Sequence, residues 1–154
     1  MKKFVFFLAS IVAIFLSSCA SSKVTTTISN GYALNQYKYV VYSSENNGDA
    51  ELDDIIMMVQ NLISEKLQVV SADKAKDLVF NNEKVVSPKI SVKTEKWDGG
   101  HTYISISFYD FNTNQNIAVV KSSGIGLSIS QDQELAYKAI KKELNKVFLD
   151  TKIE

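Results

Sequence analysis

The chain has 154 residues, with 17 basic residues, all of them lysine, against 17 acidic ones, one histidine and one cysteine. Hydrophobic residues make up 45%, which suits a globular domain and is too rich for a disordered chain. One cysteine forbids an internal disulfide, one cysteine with one histidine leaves no Cys/His zinc site, and zero net charge without arginine argues against a nucleic-acid binder.

The chain opens Met1-Lys2-Lys3 and then runs from Phe4 to Leu16 without a charge. A positive start before a short apolar run is the pattern of a secretory signal peptide, and the run is too short for an ordinary membrane span. Leu16-Ser17-Ser18-Cys19-Ala20 follows. Small residues stand just before the only thiol. In that order of features, residues 1–19 resemble the lipobox of bacterial lipoproteins. The resemblance implies cleavage before Cys19, lipidation of Cys19 and a mature chain that starts there. It also implies attachment by more than one acyl chain, which is what stable anchoring needs. Ala20 replaces the Asp that retains such lipoproteins at the inner membrane. No acidic residue of the kind that directs surface export follows in Ala20-Ser21-Ser22-Lys23. An outer-membrane position facing the periplasm is therefore expected. Loss of Lys2 and Lys3 leaves the mature chain slightly acidic.

Residues 20–36 are rich in Ser, Thr, Asn and Gly, and residues 19–36 read as a lipidated flexible tether. Val24 to Ile28 is β-branched and compatible with an edge strand. Tyr37 to Ser43 reads as the first strand of a single domain over 37–150. Its Tyr and Val on both parities suit a strand covered on both sides. Asp49 to Lys66 reads as a helix. Leu52, Ile55, Ile56, Val59, Leu62 and Ile63 recur at three- and four-residue spacing, and Asp49, Glu51, Asp53 and Asp54 crowd the first turns, where the dipole favours negative charge. Leu67 to Val70 is a short strand. Ser71 caps a brief helical turn through Asp77, and Leu78-Val79-Phe80 reads as extended.

Lys89 to Trp97 is a strand, and Asp98-Gly99-Gly100 a turn. His101 to Tyr109 answers it, with Ile104, Ile106 and Phe108 on one face and Tyr103, Ser105, Ser107 and Tyr109 on the other. That alternation predicts a sheet with one buried face. Asp110 to Asn116 turns the chain, and Ile117 to Ser123 is the next strand. Gly124 and Gly126 read as loosening the chain before a helix from Ser130, whose Ser-x-x-Gln spacing to Gln133 matches a capping box. Leu135, Ala136, Ala139, Ile140, Leu144, Val147 and Phe148 form the apolar face of that helix. Glu134 and Lys138 form a favourable i,i+4 pair.

The expected order is β-α-β-(short α)-β-β-β-α. The fold class is α+β: a single mixed or antiparallel sheet of four to five strands, with two long helices on one face. The first β-α-β unit predicts parallel strands joined by a right-handed crossover. Asp77-Leu78-Val79, Tyr109-Asp110, Thr113-Asn114 and the helix from Gln131 through Ala136 and Ile140 give residues 37–149 a second resemblance. They are similar to small envelope lipoproteins with a domain like the curli-secretion lipoprotein and the N-terminal domain of the Tol-system periplasmic protein. The resemblance implies a role in envelope assembly, as an oligomer subunit or as an activator of wall synthesis. The chain lacks the extra length that pore-forming relatives use for membrane hairpins.

Catalytic candidates are few. His101 would have to serve any Ser-His-Asp arrangement, with Asp98 or Asp110 orienting it, and no Gly-x-Ser-x-Gly elbow is present. An acylated Cys19 is no nucleophile. Asp49, Glu51, Asp53 and Asp54 lack the spacing of a calcium loop. Glu95 with Asp98 would be needed as the acid and nucleophile of a glycosidase. Asp132, Glu134 and Glu143 fall in a helix and read as solvated. No cofactor is expected. Trp97, Tyr103 and Tyr109, with Tyr37 and Tyr39, are candidates for an aromatic sheet face that receives a partner. The leading expectation is a non-enzymatic, lipid-anchored envelope protein. It is attached to the membrane through Cys19, binds a protein partner or copies of itself, and does not bind nucleic acid. A carboxylate-dependent hydrolase of envelope glycans and an inhibitor or immunity lipoprotein are the alternatives. Cys19→Ala is expected to abolish incorporation of radiolabelled fatty acid, and undiminished labelling would overturn the lipobox reading.

Overall fold

Strand Thr102–Asp110 alternates buried side chains with half-buried or exposed ones, and the rest of the sheet is built outward from it. The computed structural model describes residues 20–43, 50–97 and 100–149; Cys19 and Asp98 lie outside them. Six strands form one sheet: β1 (Ser21–Ile28), β2 (Tyr39–Val40), β3 (Gln68–Val69), β4 (Val85–Thr94), β5 (Thr102–Asp110) and β6 (Asn116–Ile125). Their spatial order is β1-β6-β5-β4-β2-β3. The β4-β5-β6 meander and β1 pair antiparallel, whereas β2 pairs parallel with both β3 and β4. Among the described residues three α-helices pack with the sheet: α1 (Ala50–Ser64), α2 (Ala72–Phe80) and α3 (Ile129–Leu149).

This corrects the expected sheet of four to five strands with two helices. The tether reading fails over Ser21–Ile28, which pairs residue for residue with β6 from Ile125 to Ala118. Seven of its eight positions are exposed, so it has no apolar alternation to mark it. An edge strand rich in Ser, Thr and Lys reads like a linker and also resists edge-to-edge aggregation. Leu78 to Phe80, expected to be extended, completes α2. Ser71 Oγ accepts the Lys74 amide at 3.3 Å, and the helix ends where Asn81 N–H bonds back to the Asp77, Leu78 and Val79 carbonyls. Strand β4 starts four residues before Lys89 and runs through Pro88. Among the described residues no strand pairs with its far side beyond Val86, and a proline is tolerated at such an edge.

The two faces of the sheet are filled differently. Val86, Ile90, Ile104, Ile106, Phe108 and Val120 point one way and pack with Leu52, Ile55, Val59 and Ile63 of α1 and Ala136, Ile140 and Leu144 of α3. On the opposite face, only the β2–β4 end is covered. There α2 brings Ala75 against Val41 and Val85, with Leu78, Val79 and Phe111 around them.

Helix α3 lies unusually close to β6. A Cβ on Gly124 would stand 2.6 Å from the Ala136 nitrogen and 2.9 Å from the Leu135 Cβ. Gly124 and the fully buried Ala136 let the backbones meet. Ser122 Oγ donates to the Ala136 carbonyl at 2.8 Å. Gly124 therefore marks a close approach, rather than the loosened chain expected from its composition.

The cap of α3 also differs from expectation. Two overlapping Ser-x-x-Gln frames are present, and the earlier one is used. Ser128 Oγ accepts the Gln131 amide at 3.3 Å, and Gln131 Oε1 accepts the Leu127 amide at 2.7 Å. Buried Asp132 accepts the Gly126 amide, which pins the turn into that frame. Gly124→Ala is expected to cost about 1–3 kcal/mol by overpacking, read as a lower urea midpoint. An unchanged midpoint would refute the close seat of α3.

Candidate functional site

The largest stretch of sheet that no helix covers is the face formed by the odd-numbered positions of β1, β5 and β4 and their neighbours on β6. It holds Lys23 and Thr25 on β1, Lys121 and Ser123 on β6, Tyr103, Ser105, Ser107 and Tyr109 on β5, and Ser87, Lys89, Ser91 and Lys93 on β4. The strand positions of this face carry no Asp or Glu. The register sets one row across it: Lys23 opposite Ser123, Ser123 opposite Tyr103, Tyr103 opposite Lys93. Lys23, Thr25, Tyr103, Lys121 and Ser123 line a shallow groove of about 230 Å³. A surface of hydroxyls, ammonium groups and one accessible ring suits an anionic or hydroxyl-rich partner.

The three aromatic candidates do not converge. Tyr103 is 40% exposed and Tyr109 half-buried, both on this face, but six residues of strand separate them by about 20 Å. Trp97 stands beyond the end of β4, in the turn to β5, and is 64% exposed. Tyr37 is buried, and Tyr39 packs beneath α2. The parity of β5 reveals which aromatics share a face. The pairings that put Lys23, Lys93 and Lys121 beside Tyr103 are tertiary, and no local signal announces them.

The catalytic candidates are held in structural roles. His101 Nδ1 shares a 2.9 Å hydrogen bond with Tyr103 Oη, and the two rings lie 5.6 Å apart. Asp110 stands at the other end of β5, about 30 Å away along the strand, so it cannot orient this imidazole. A cleft of about 320 Å³ between β1 and α3 is lined by Thr26, Tyr32, Leu34, Glu143, Lys146 and Val147, among others. It contains one carboxylate, Glu143, which accepts from Thr26 Oγ1 at 2.6 Å. Paired-carboxylate glycoside hydrolysis needs two. Among the described residues, no three His, Cys, Asp or Glu side chains are grouped to hold a metal. Asp53 and Asp54 are exposed on α1, whereas Asp49 and the Glu51 side chain lie outside the description.

Among the described residues Asp110 is a heavily bonded carboxylate. Its Oδ1 accepts from the Asn112 and Thr113 amides at 3.0 and 2.9 Å and from Thr113 Oγ1 at 3.1 Å. Tyr37 Oη donates to its Oδ2 at 2.9 Å. Burial alone would raise the carboxyl pKa, but these donors, Thr113 N–H foremost, outweigh it and hold the group below the usual range. Tyr37 moves the other way: burial first, then its bond to Asp110 and that group's charge, push the phenol well above its ordinary value. The Asp110 side chain thereby closes the β5–β6 turn, where Asn114 takes a left-handed φ of 55°. It is a structural acid.

No protein-family model matches the chain, and no curated protein is similar to it. Among solved structures, the PelC dodecamer from Paraburkholderia phytofirmans is similar with a TM-score of 0.49 and 17% identity, covering 82% of this chain and 97% of that one. A point variant of the same dodecamer gives the same score and identity and is covered over 98%. A PDZ domain protein from Parabacteroides distasonis has a TM-score of 0.47 and 12% identity, covering 96% of this chain and 40% of that one.

A depressed carboxyl pKa stabilises the fold above the unfolded value, near 3.9, and that contribution is lost as pH falls through the folded value. Asp110→Asn is therefore expected to lower the urea midpoint at pH 7, with the gap from the parent narrowing as pH drops below about 4. Tyr37→Phe should cost about 1 kcal/mol or slightly more. A gap independent of pH would refute the assigned role of Asp110.

Proposed function

We propose that the chain is a lipid-anchored protein of the bacterial cell envelope. In this reading Cys19 carries the lipid, the domain faces the periplasm from the outer membrane, and the protein acts by binding rather than by catalysis. The signal pattern of residues 1–19 supports the location. In this reading the lipid on Cys19 makes the attachment; among the described residues no helix is long and apolar enough to cross a membrane.

The observation that carries the binding reading is the uncovered face of β1, β6, β5 and β4. One face of the sheet is sealed by α1 and α3. The other keeps lysines, hydroxyls and Tyr103 exposed, without a carboxylate at any strand position. A protein partner with an acidic surface, or an acidic patch on a second copy, fits it by charge. The carboxylates that could have done acid–base work are scattered or already bonded, which supports a role in envelope assembly or maintenance over hydrolysis. A photo-crosslinking amino acid at Tyr103 or Tyr109 in living cells is expected to give a discrete adduct, and the same probe at Glu134 on the outer side of α3 none. The mass of the adduct separates a partner from a second copy. No adduct from either tyrosine position would overturn the reading.

A further inference from the structure

The start of the described chain, at Ala20, and several exposed apolar side chains of the connections between elements lie at one end of the sheet. Strand β1 begins at Ser21, opposite Ile125 at the end of β6. One residue pair further along, Gly124 of β6 faces Thr102 at the start of β5, and Thr102 faces Thr94 at the end of β4. Ala20, the residues just after Ile125 and the described residues between Thr94 and Thr102 therefore share one rim. Those positions hold Trp97, 64% exposed, Leu127, 77% exposed, and Ile129, 43% exposed.

Exposed apolar side chains on loose loops would mean little, but the described residues here are hydrogen-bonded on either side. The Gly100 amide bonds the Trp97 carbonyl at 2.8 Å, and the Glu95 amide bonds the His101 carbonyl at 2.9 Å. A Cβ on Gly100 would meet the Glu95 carbonyl oxygen at 2.6 Å. The Leu127 amide is held by Gln131 Oε1. The described backbone around Trp97 and Leu127 is hydrogen-bonded, while the large side chains stand outside the core.

Charge at this end is arranged in layers. Lys23, Ser123, Tyr103 and Lys93 form the row just inside the rim on the open face. Of the described carboxylates at the rim, Asp132 is buried and bonded to the Gly126 amide, and Glu95 is half-buried. Tryptophan and leucine outermost, with lysines one step behind, is the order in which side chains partition at a bilayer surface: apolar groups enter the interface and ammonium groups reach the headgroups.

We propose that this rim, with Trp97 and Leu127 at its tips, is a membrane-contact surface that seats the domain directly on the bilayer. The proposal rests on lipidation of Cys19. Only Ala20 stands between Cys19 and Ser21, and two residue steps span at most about 7 Å. A lipid there leaves the rim no room to stand clear of the headgroups. The strands then run roughly along the membrane normal. The Tyr103–Tyr109 face looks sideways, parallel to the bilayer, where other envelope proteins can reach it.

Trp97 is the only tryptophan in the chain, which makes its fluorescence a direct reporter. The full-length protein, purified from membranes, is reconstituted in vesicles of phosphatidylethanolamine and phosphatidylglycerol. The same lipids brominated near the headgroup end of the chain serve as quenchers. Trp97 emission is expected to shift to the blue relative to Cys19→Ala protein in buffer, and to be quenched by the brominated lipids. Leu127→Glu, an exposed substitution, should reduce that quenching by roughly half. Protein that carries the acyl mass and floats with vesicles, yet has unquenched Trp97, would overturn the rim contact and leave the anchor standing. Protein without acyl mass on Cys19 would overturn both.

Discussion

The seat of α3 on β6 is the constraint on which most of the molecule depends. Gly124 has no side chain because the Leu135–Ala136 turn occupies the space. Ser122 bonds the Ala136 carbonyl across the same contact. From this point α3 runs back over β6, β1 and β5 and delivers Ile140 and Leu144 to the core beside α1. The approach is close because the residues are small. Small residues bury little area themselves, but they let the larger ones on either side interlock at interior density.

The same contact organises the end of the sheet. The chain must leave β6 at Ile125, turn and enter α3 within a few residues. Buried Asp132, the Ser128 cap and the Gln131 side chain satisfy the turn's amides. With the backbone so occupied, Leu127 and Ile129 have no core to enter and stand outside. The β4–β5 turn does the same with Trp97. Apolar side chains are exposed here because of the geometry of two turns, whereas the interior positions of β5 are buried because of strand parity.

The two faces of the sheet answer different requirements. The covered face is apolar because two helices close it. The open face is populated mainly by Lys, Ser, Thr and Tyr, which tolerate water, with the half-buried Val119 among them. The β1 edge belongs to this polar design, since an exposed edge of alternating hydrophobic residues would invite pairing with other chains. Where α2 does cover the open face, at Val85 of β4 and at Val41 just after β2, the residues become apolar again.

Periodicity made α1, β5 and the body of α3 legible, because each buries one face with a regular repeat: three to four residues for the helices and two for the strand. The parity of Tyr103 and Tyr109, and the separateness of the lone cysteine, are likewise properties of the chain itself. The sixth strand, the frame used by the α3 cap and the role of Gly124 were decided by the tertiary structure. The polar β1 is set by β6, far along the chain, and Gly124 by Leu135 and Ala136 across the connection; the cap frame is chosen by Asp132 reaching back six residues to Gly126. The candidate surfaces followed the same division. Sequence singled out the aromatics, but only the register placed lysines from three strands beside Tyr103 and put Trp97 at the end where the chain enters the sheet, because hydrogen-bonded pairing between strands is fixed by long-range contacts that no local pattern encodes.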